Sequence, residues 1–173
     1  VLVAAPHQSG KDEYLMILII LALDVDVCYL SAKWTMRRIP NPFEKSKDID
    51  DQGIKWPLGW LQEIIFRKFG AIPVDRKGNS GQYDSVIEEL KKRDSFLLIV
   101  TPEGRFDATR FRTSFLFIAK ELNAEVMPVQ IDYENEIFNI LESFNIEGDT
   151  ESVVKNLRLK FDGVKGKKSR FKA

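Results

Sequence analysis

The sequence contains very little cysteine and histidine. Its one cysteine, Cys28, excludes a disulfide within the chain, and its one histidine leaves no Cys/His cluster for a structural zinc site. No metal is therefore expected, and the cysteine usage indicates a reducing, cytosolic setting. Cys28 lies within an apolar run, which predicts a small buried side chain rather than a nucleophile.

Long apolar runs and net charge are also absent. The longest uninterrupted apolar run, residues 14–23, is shorter than the roughly 20 residues of a membrane-crossing helix, so it predicts a buried helix. The 26 basic and 26 acidic side chains cancel, which argues against a nucleic-acid partner. The basic C-terminal tail, about residues 163–173, has two interpretations. In the first interpretation the tail binds anionic lipid headgroups, and in the second it is a solvated, disordered end.

Length and composition favour a single globular domain. A chain of 173 residues, 44% hydrophobic and 30% charged, is long enough for one ordinary core and too short for two. Short β-rich apolar runs alternate with longer helical patterns, which is typical of an α/β domain around a mostly parallel sheet. We therefore expect one domain over residues 1–173 with three-layer α/β/α architecture.

The order of elements follows from these patterns. Strands are predicted at residues 1–5, 25–31, 71–74, 96–101, 125–132 and 137–141. Helices are predicted at residues 12–23, 57–69, 81–93, 113–122 and 151–161. Residues 37–55 are charged, contain Pro40 and Pro42 and show no period, so we expect a long loop or insertion there.

An apolar stripe of Trp56, Trp60, Ile64 and Phe69 marks the helix predicted at 57–69 and the residue just before it. A stripe with this spacing usually packs into the core of a protein. Insertion into lipid is the alternative.

The sole histidine follows the first predicted strand. His7 and Asp12 stand five residues apart, in the loop after this strand and on the first turn of the next helix. Open α/β sheets bind ligands beyond the carboxyl ends of their strands, where this loop must lie. Asp12 can accept the Nδ1 proton and hold the tautomer, which leaves Nε2 as a general base. The same segment also fits a helix cap, with Ser9 as the N-cap and Asp12 bonding back to it.

Two further loops carry an arginine after a predicted strand. Arg76 follows the third strand, and Arg105 follows the fourth and stands directly after Gly104. A guanidinium fork binds phosphate through two hydrogen bonds, and glycine lets the backbone approach the ligand closely. The ordinary alternative for each arginine is a surface ion pair with a neighbouring carboxylate, Asp75 or Glu103.

Four segments resemble, in order, the motif blocks of the membrane-associated glycerolipid acyltransferases, the superfamily of lysophosphatidate and glycerol-3-phosphate acyltransferases. They are H-Q-S-G-K-D at 7–12, the glycine-start block ending in D-R at 70–76, P-E-G-R at 102–105 and the proline-centred strand at 126–129. The resemblance covers the chain from its first residue to about residue 132. The third block lacks the usual Thr, so either Arg105 or Phe106 takes the position of the family's arginine. Ser114 replaces a usual glycine, and residues 37–55 are an insertion relative to the family.

This resemblance implies an O-acyltransferase of phospholipid biosynthesis. It would move a fatty acyl group from acyl-CoA or acyl carrier protein to the hydroxyl of a glycerol phosphate or a lysophospholipid. His7 and Asp12 would be the catalytic dyad, and because the substrate oxygen attacks the thioester directly, no cofactor is implied. The family's location implies a peripheral protein on the cytoplasmic face of a membrane.

The resemblance also implies a substrate site. The arginines of the second and third blocks, Arg76 and Arg105, would bind the phosphate of the acceptor, in a loop shaped by Glu103 and Gly104. Lys33, after the second strand, either assists with phosphate or is an ordinary solvated lysine. The residues expected to bind substrate are Ser9, Lys33, Arg76, Glu103, Gly104 and Arg105.

Two other functions use the same residues. One is a non-catalytic lipid- or phosphate-binding protein that kept the fold and lost turnover. The other is a thioester or ester hydrolase in which His7 activates water instead of a lipid hydroxyl. The three hypotheses differ in product, which is an acylated acceptor, nothing, or a free fatty acid.

Overall fold

The computed structural model describes residues 1–9, 12, 16, 18, 26–39, 53–74, 83–104 and 110–173. A mostly parallel six-stranded sheet runs through them, which confirms the predicted α/β class. The chain divides into two compact units, a first unit of residues 1–25 and 99–173 and a second unit of residues 26–98. The assignment of the whole chain to one acyltransferase domain stays a prediction.

The six strands of the main sheet lie where the apolar runs predicted them. They are β1 (Leu2–Ala5), β2 (Val27–Ala32), β5 (Ala71–Val74), β6 (Leu97–Val100), β7 (Met127–Asp132) and β8 (Ile137–Ile140), and a separate two-stranded sheet contains β3 (Arg38–Ile39) and β4 (Ile54–Lys55). The helices with described bounds are α1 (Gly59–Lys68), α2 (Asp84–Leu90), α3 (Ser114–Glu121) and α4 (Thr150–Leu159), and a 3-10 helix spans Lys33–Met36. Each of these four α-helices was predicted, with ends that differ by a few residues.

In the first unit, β1 lies between two parallel neighbours. Leu2 stands opposite Ile99 of β6 and opposite Met127 of β7, and β8 adds an antiparallel strand beyond β7. All four residues of β1 are buried, as expected of a parallel strand covered on both faces. Because these three strands are parallel, the segments that follow them, beginning at residues 6, 101 and 133, emerge at the same edge of the sheet.

The C-terminal tail packs against other residues of the first unit, to which it belongs, so the expectation of a disordered end is wrong. The ring of Phe171 lies 5.4 Å from that of Phe111 and 6.1 Å from that of Phe161, measured between centroids. Phe161 and Phe171 are buried, and the guanidinium of Arg158 lies over the Phe111 and Phe171 rings. Val164, also buried, adds a further anchor. The prediction weighed the charge of the tail and overlooked these apolar residues.

In the second unit, β2 pairs in parallel with β5, and Tyr29 stands opposite Ala71. Gly70 connects α1 to β5 with a positive φ of 81°, and a Cβ there would lie 2.0 Å from the carbonyl oxygen of Val27. Only glycine fits such an approach. The predicted insertion at 37–55 begins and ends in the antiparallel pair β3–β4, which sequence analysis missed, and its residues 40–52 lie outside the described part of the chain.

Helix α1 presents an apolar face to solvent, so the expectation that its stripe belongs to the core is wrong. Six large apolar side chains in and beside this helix are between 38% and 57% exposed: Leu58, Trp60, Leu61, Ile64, Ile65 and Phe69. The buried residue of the helix is Gly59, where a Cβ would lie 2.5 Å from the carbonyl oxygen of Arg37. The helix therefore packs through its small residue and leaves its large ones outside.

The helix predicted at 12–23 lies largely outside the described residues. Asp12, Met16 and Leu18 are described and are helical, as predicted. Leu18 is 61% exposed, so the prediction of a buried helix is wrong at this position. Among the helices that the structure describes, none has the length and apolar character needed to span a bilayer.

Candidate active site

His7 stands just beyond the carboxyl end of β1, and its side chain is buried. Its Nδ1 lies 3.3 Å from Oδ2 of Asp12, and the two side chains are 7% and 0% exposed. The predicted contact between the sole histidine and the carboxylate five residues later is therefore present. It is longer than the usual 2.9 Å of an N–H···O bond, so the two side chains are in polar contact without an ideal hydrogen bond.

Asp12 also caps its own helix. Its Oδ2 accepts the backbone N–H groups of Gln8, at 2.8 Å, and of Ser9, at 2.9 Å, while its own N–H donates to the Ser9 carbonyl oxygen at 3.1 Å. The cap and the dyad were alternative interpretations of this segment, and one buried carboxylate combines them. Ser9 contributes backbone groups to this arrangement, and its assignment to substrate stays a prediction.

Ionised Asp12 is the form that this environment favours. Burial raises the pKa of Asp12, but hydrogen bonds from His7, Tyr133 and the Ser9 and Gln8 backbone outweigh burial and leave this pKa below its ordinary value. A negative Asp12 beside Nδ1 stabilises the Nδ1–H tautomer and, after proton uptake, the imidazolium. The arrangement therefore suits His7 to act as a general base through Nε2.

Glu103 contacts the backbone of the histidine. Its Oε1 accepts the His7 N–H at 3.2 Å, and its side chain is 3% exposed. Burial raises the pKa of Glu103 to about 7, although the hydrogen bond from His7 works in the opposite direction. Among the described residues, Oε2 of Glu103 has no hydrogen-bond partner. The P-E-G segment thus holds the dyad loop in place.

Gly104 adopts a positive φ of 66°, and its missing side chain makes room for an arginine. A Cβ at Gly104 would lie 2.9 Å from Nε of Arg112, whose backbone N–H donates to the Pro102 carbonyl oxygen at 2.7 Å. Gly104 therefore leaves room for the side chain of Arg112, and its role in a substrate site stays a prediction. Sequence analysis did not single out Arg112, because it stands eight residues beyond the glycine and outside the motif.

Tyr133 is a site residue that the sequence analysis missed. Its hydroxyl donates a hydrogen bond to Oδ1 of Asp12. Burial and this hydrogen bond raise the pKa of Tyr133 to about 12, so it remains a donor at neutral pH. The available signal was its position, since Tyr133 is the first residue after β7 and β7 is a parallel neighbour of β1.

The remaining predicted site residues are not brought to the dyad by the described structure. Arg76, Arg105 and the alternative Phe106 lie outside the described residues. Lys33 belongs to the second unit, where it is exposed and opens the 3-10 helix after β2. The predicted binding of phosphate by these residues therefore stays a prediction.

Metal ligands and the single thiol are two other possible sources of chemistry among the described residues. Within the described ranges, no three His, Cys, Asp or Glu side chains are grouped as a metal site would need. Burial raises the pKa of the Cys28 thiol to about 11, which makes it a poor nucleophile and agrees with the structural role predicted for it.

Comparison with known proteins gives one family-model match, over part of the chain. Residues 54–132 match the family model described as Acyltransferase. The matched region runs from β4 to the end of β7 and includes Glu103 and Gly104, whereas His7 and Asp12 precede it. Neither a curated protein nor a solved structure matches the chain.

Proposed function

We propose that the chain, which matches the family model described as Acyltransferase over residues 54–132, is an O-acyltransferase with His7 and Asp12 as its dyad. The observation that carries this proposal is the contact of 3.3 Å between His7 Nδ1 and a fully buried, ionised Asp12 at the carboxyl edge of the sheet. An imidazole held in this way has its other nitrogen available for a substrate proton.

The proposed reaction needs no enzyme nucleophile. Nε2 of His7 takes the proton of the acceptor hydroxyl while that oxygen attacks the carbonyl carbon of the acyl thioester. The new C–O bond forms, the C–S bond breaks, and the leaving thiolate takes the proton from the imidazolium to become a thiol. Asp12 stays ionised throughout and stabilises the imidazolium. The donor is acyl-CoA or acyl carrier protein, and no cofactor takes part.

We propose a phosphorylated acceptor, either a glycerol phosphate or a lysophospholipid. The support is the arginine content of the loops after β5 and β6, which contain Arg76 and Arg105 and suit bidentate phosphate binding. At the start of the second loop, Gly104 has no side chain and so leaves room for the guanidinium of Arg112. Lys33 and Ser9 are secondary candidates for contacts with substrate.

We further propose that the protein acts at the cytoplasmic face of a membrane, where lipid acceptors are found. The exposed apolar face of α1 supports this location, because Trp60 and Ile64 stand beside the cationic Arg67 and Lys68. Apolar side chains flanked by cations are typical of helices that lie on anionic lipid. The exposed Lys167 and Lys168 add charge on the C-terminal tail, although this tail is anchored by packing.

Product analysis tests the proposal. The protein is incubated with a radiolabelled acyl-CoA, and in parallel with acyl carrier protein as donor, and offered glycerol 3-phosphate, lysophosphatidate or an unphosphorylated lysolipid analogue. Label in a phosphorylated glycerolipid supports the proposal. Label released as free fatty acid at the same rate with and without acceptor identifies a hydrolase. Bound but unconverted lipid identifies a non-catalytic protein.

A further inference from the structure

Tyr133 is the residue through which the C-terminal part of the chain contacts the dyad. We propose that Tyr133 is a positioning residue, which fixes the carboxylate of Asp12 so that Asp12 in turn fixes the tautomer of His7. This inference rests on the proposed function of the dyad. The family match ends at residue 132 and does not include Tyr133.

The first support is the way in which the two oxygens of Asp12 are used. Oδ2 faces Nδ1 of His7 and two backbone N–H groups, whereas Oδ1 receives the hydroxyl of Tyr133. A carboxylate with donors on both oxygens cannot rotate without losing a hydrogen bond. Without the hydroxyl, Oδ1 loses the only side-chain donor that the described structure gives it.

The second support is that Tyr133 is itself held by the C-terminal segment, defined as residues 164–171. Its backbone N–H donates to the Lys165 carbonyl oxygen at 2.8 Å, and Nζ of Lys167 lies 5.3 Å from the centre of its ring. The next residue, Glu134, is ion-paired with Arg170. A tyrosine fixed at its backbone and at its ring places its hydroxyl at a defined point.

The same segment holds the loop that contains the histidine. Oε1 of Gln8, the residue after His7, accepts the backbone N–H groups of Lys168, at 2.8 Å, and Ser169, at 2.9 Å, and its Nε2 donates to Ser169 Oγ at 3.0 Å. Gly166 allows this approach, because a Cβ there would lie 2.6 Å from Oε1 of Gln8. The segment therefore contacts both sides of the dyad, the loop of His7 and the partner of Asp12.

Tyr133→Phe tests the inference because it removes one oxygen and keeps the ring that Lys167 covers. We expect kcat to fall by about 10- to 100-fold, as for the loss of a group that orients a catalytic histidine, while KM for donor and acceptor stays nearly unchanged. Tyr83→Phe, in the second unit, is the matched control and should leave kcat unchanged. A normal kcat in Tyr133→Phe would overturn the inference.

Nitrogen NMR gives a readout that does not depend on turnover. The protein has one histidine, so its two ring nitrogens are observed without overlap. In the wild type we expect neutral His7 to carry its proton on Nδ1, and in Tyr133→Phe we expect a mixture of both tautomers. If the tautomer changes but the wild type transfers no acyl group, the proposed function fails and the positioning role stands. An unchanged tautomer overturns the positioning role.

A double-mutant cycle separates positioning from general support of the fold. If Tyr133 acts through Asp12, adding Tyr133→Phe to Asp12→Asn should lower the residual kcat by less than about 2-fold, because the carboxylate to be fixed is already gone. Two losses that multiply would overturn the inference. The unfolding midpoints of all four proteins are measured in parallel, so that a loss of folded protein is not counted as a loss of catalysis.

Discussion

Glu103→Gln should reduce the pH dependence of the protein's stability. The pKa of Glu103 is raised by burial from its ordinary value of 4.5 to about 7, and its Oε1 accepts the N–H of His7. Glutamine has nearly the same shape and keeps an oxygen that can accept this bond, but it cannot ionise. The substitution therefore removes the buried charge and preserves the contact.

The sign follows from proton binding. Because the pKa of Glu103 is higher in the folded protein than in the unfolded chain, the folded protein binds more protons between about pH 4.5 and 7. The favourable contribution of protonated Glu103 is thus present at low pH and is lost as the pH rises through 7. The pKa difference, from 4.5 to about 7, corresponds to roughly 3 kcal/mol in the free energy of unfolding, at about 1.4 kcal/mol for each pH unit.

Urea unfolding at pH 5 and pH 8 measures this effect. Between these two values, the wild type should lose up to about 3 kcal/mol more of its free energy of unfolding than Glu103→Gln does. Glu147→Gln, which changes an exposed carboxylate, is the matched control and should behave as the wild type. If wild type and Glu103→Gln lose the same free energy between the two pH values, Glu103 is not a buried ionisable group of the kind described here.

Two further substitutions test other parts of the structure. Gly166→Ala should lower the free energy of unfolding by about 1–3 kcal/mol and slow turnover, because the new Cβ would lie 2.6 Å from the Gln8 side chain; an unchanged urea midpoint would contradict this packing. Trp60→Ser combined with Ile64→Ser should weaken sedimentation with anionic vesicles at every salt concentration, whereas Lys167→Glu should weaken it only at low salt. Vesicle binding that neither change affects would contradict the proposed membrane surface.

The strands and the contact between His7 and Asp12 were predictable because their signals are local. β1 is a continuous apolar run, and the rule that ligands bind beyond the carboxyl ends of parallel strands singled out the histidine that follows it. The sequence could not decide whether Asp12 caps a helix or orients His7. The structure explains why, since one oxygen of Asp12, Oδ2, both accepts the Ser9 N–H and contacts His7 Nδ1.

Other features depend on contacts between residues that are far apart in the sequence, so local patterns do not specify these contacts. Tyr133 and Asp12 are hydrogen-bonded although they are 121 residues apart in the sequence. The backbone of Ser169 and the side chain of Gln8 are hydrogen-bonded across a separation of 161 residues in the sequence. No pattern of charge or period marks such a pair. Helix α1 illustrates a different limit, because spacing defines its apolar face but does not say whether another element covers it.

The most direct test of the central claim is the acyl-transfer rate of purified His7→Ala, compared with wild type at saturating donor and acceptor. Loss of the general base predicts that kcat falls by about 10²–10⁴-fold. The unfolding midpoint is measured on the same preparation to confirm that the variant is folded. A folded His7→Ala protein that transfers acyl groups at close to the wild-type rate would contradict the assignment of His7 as the base.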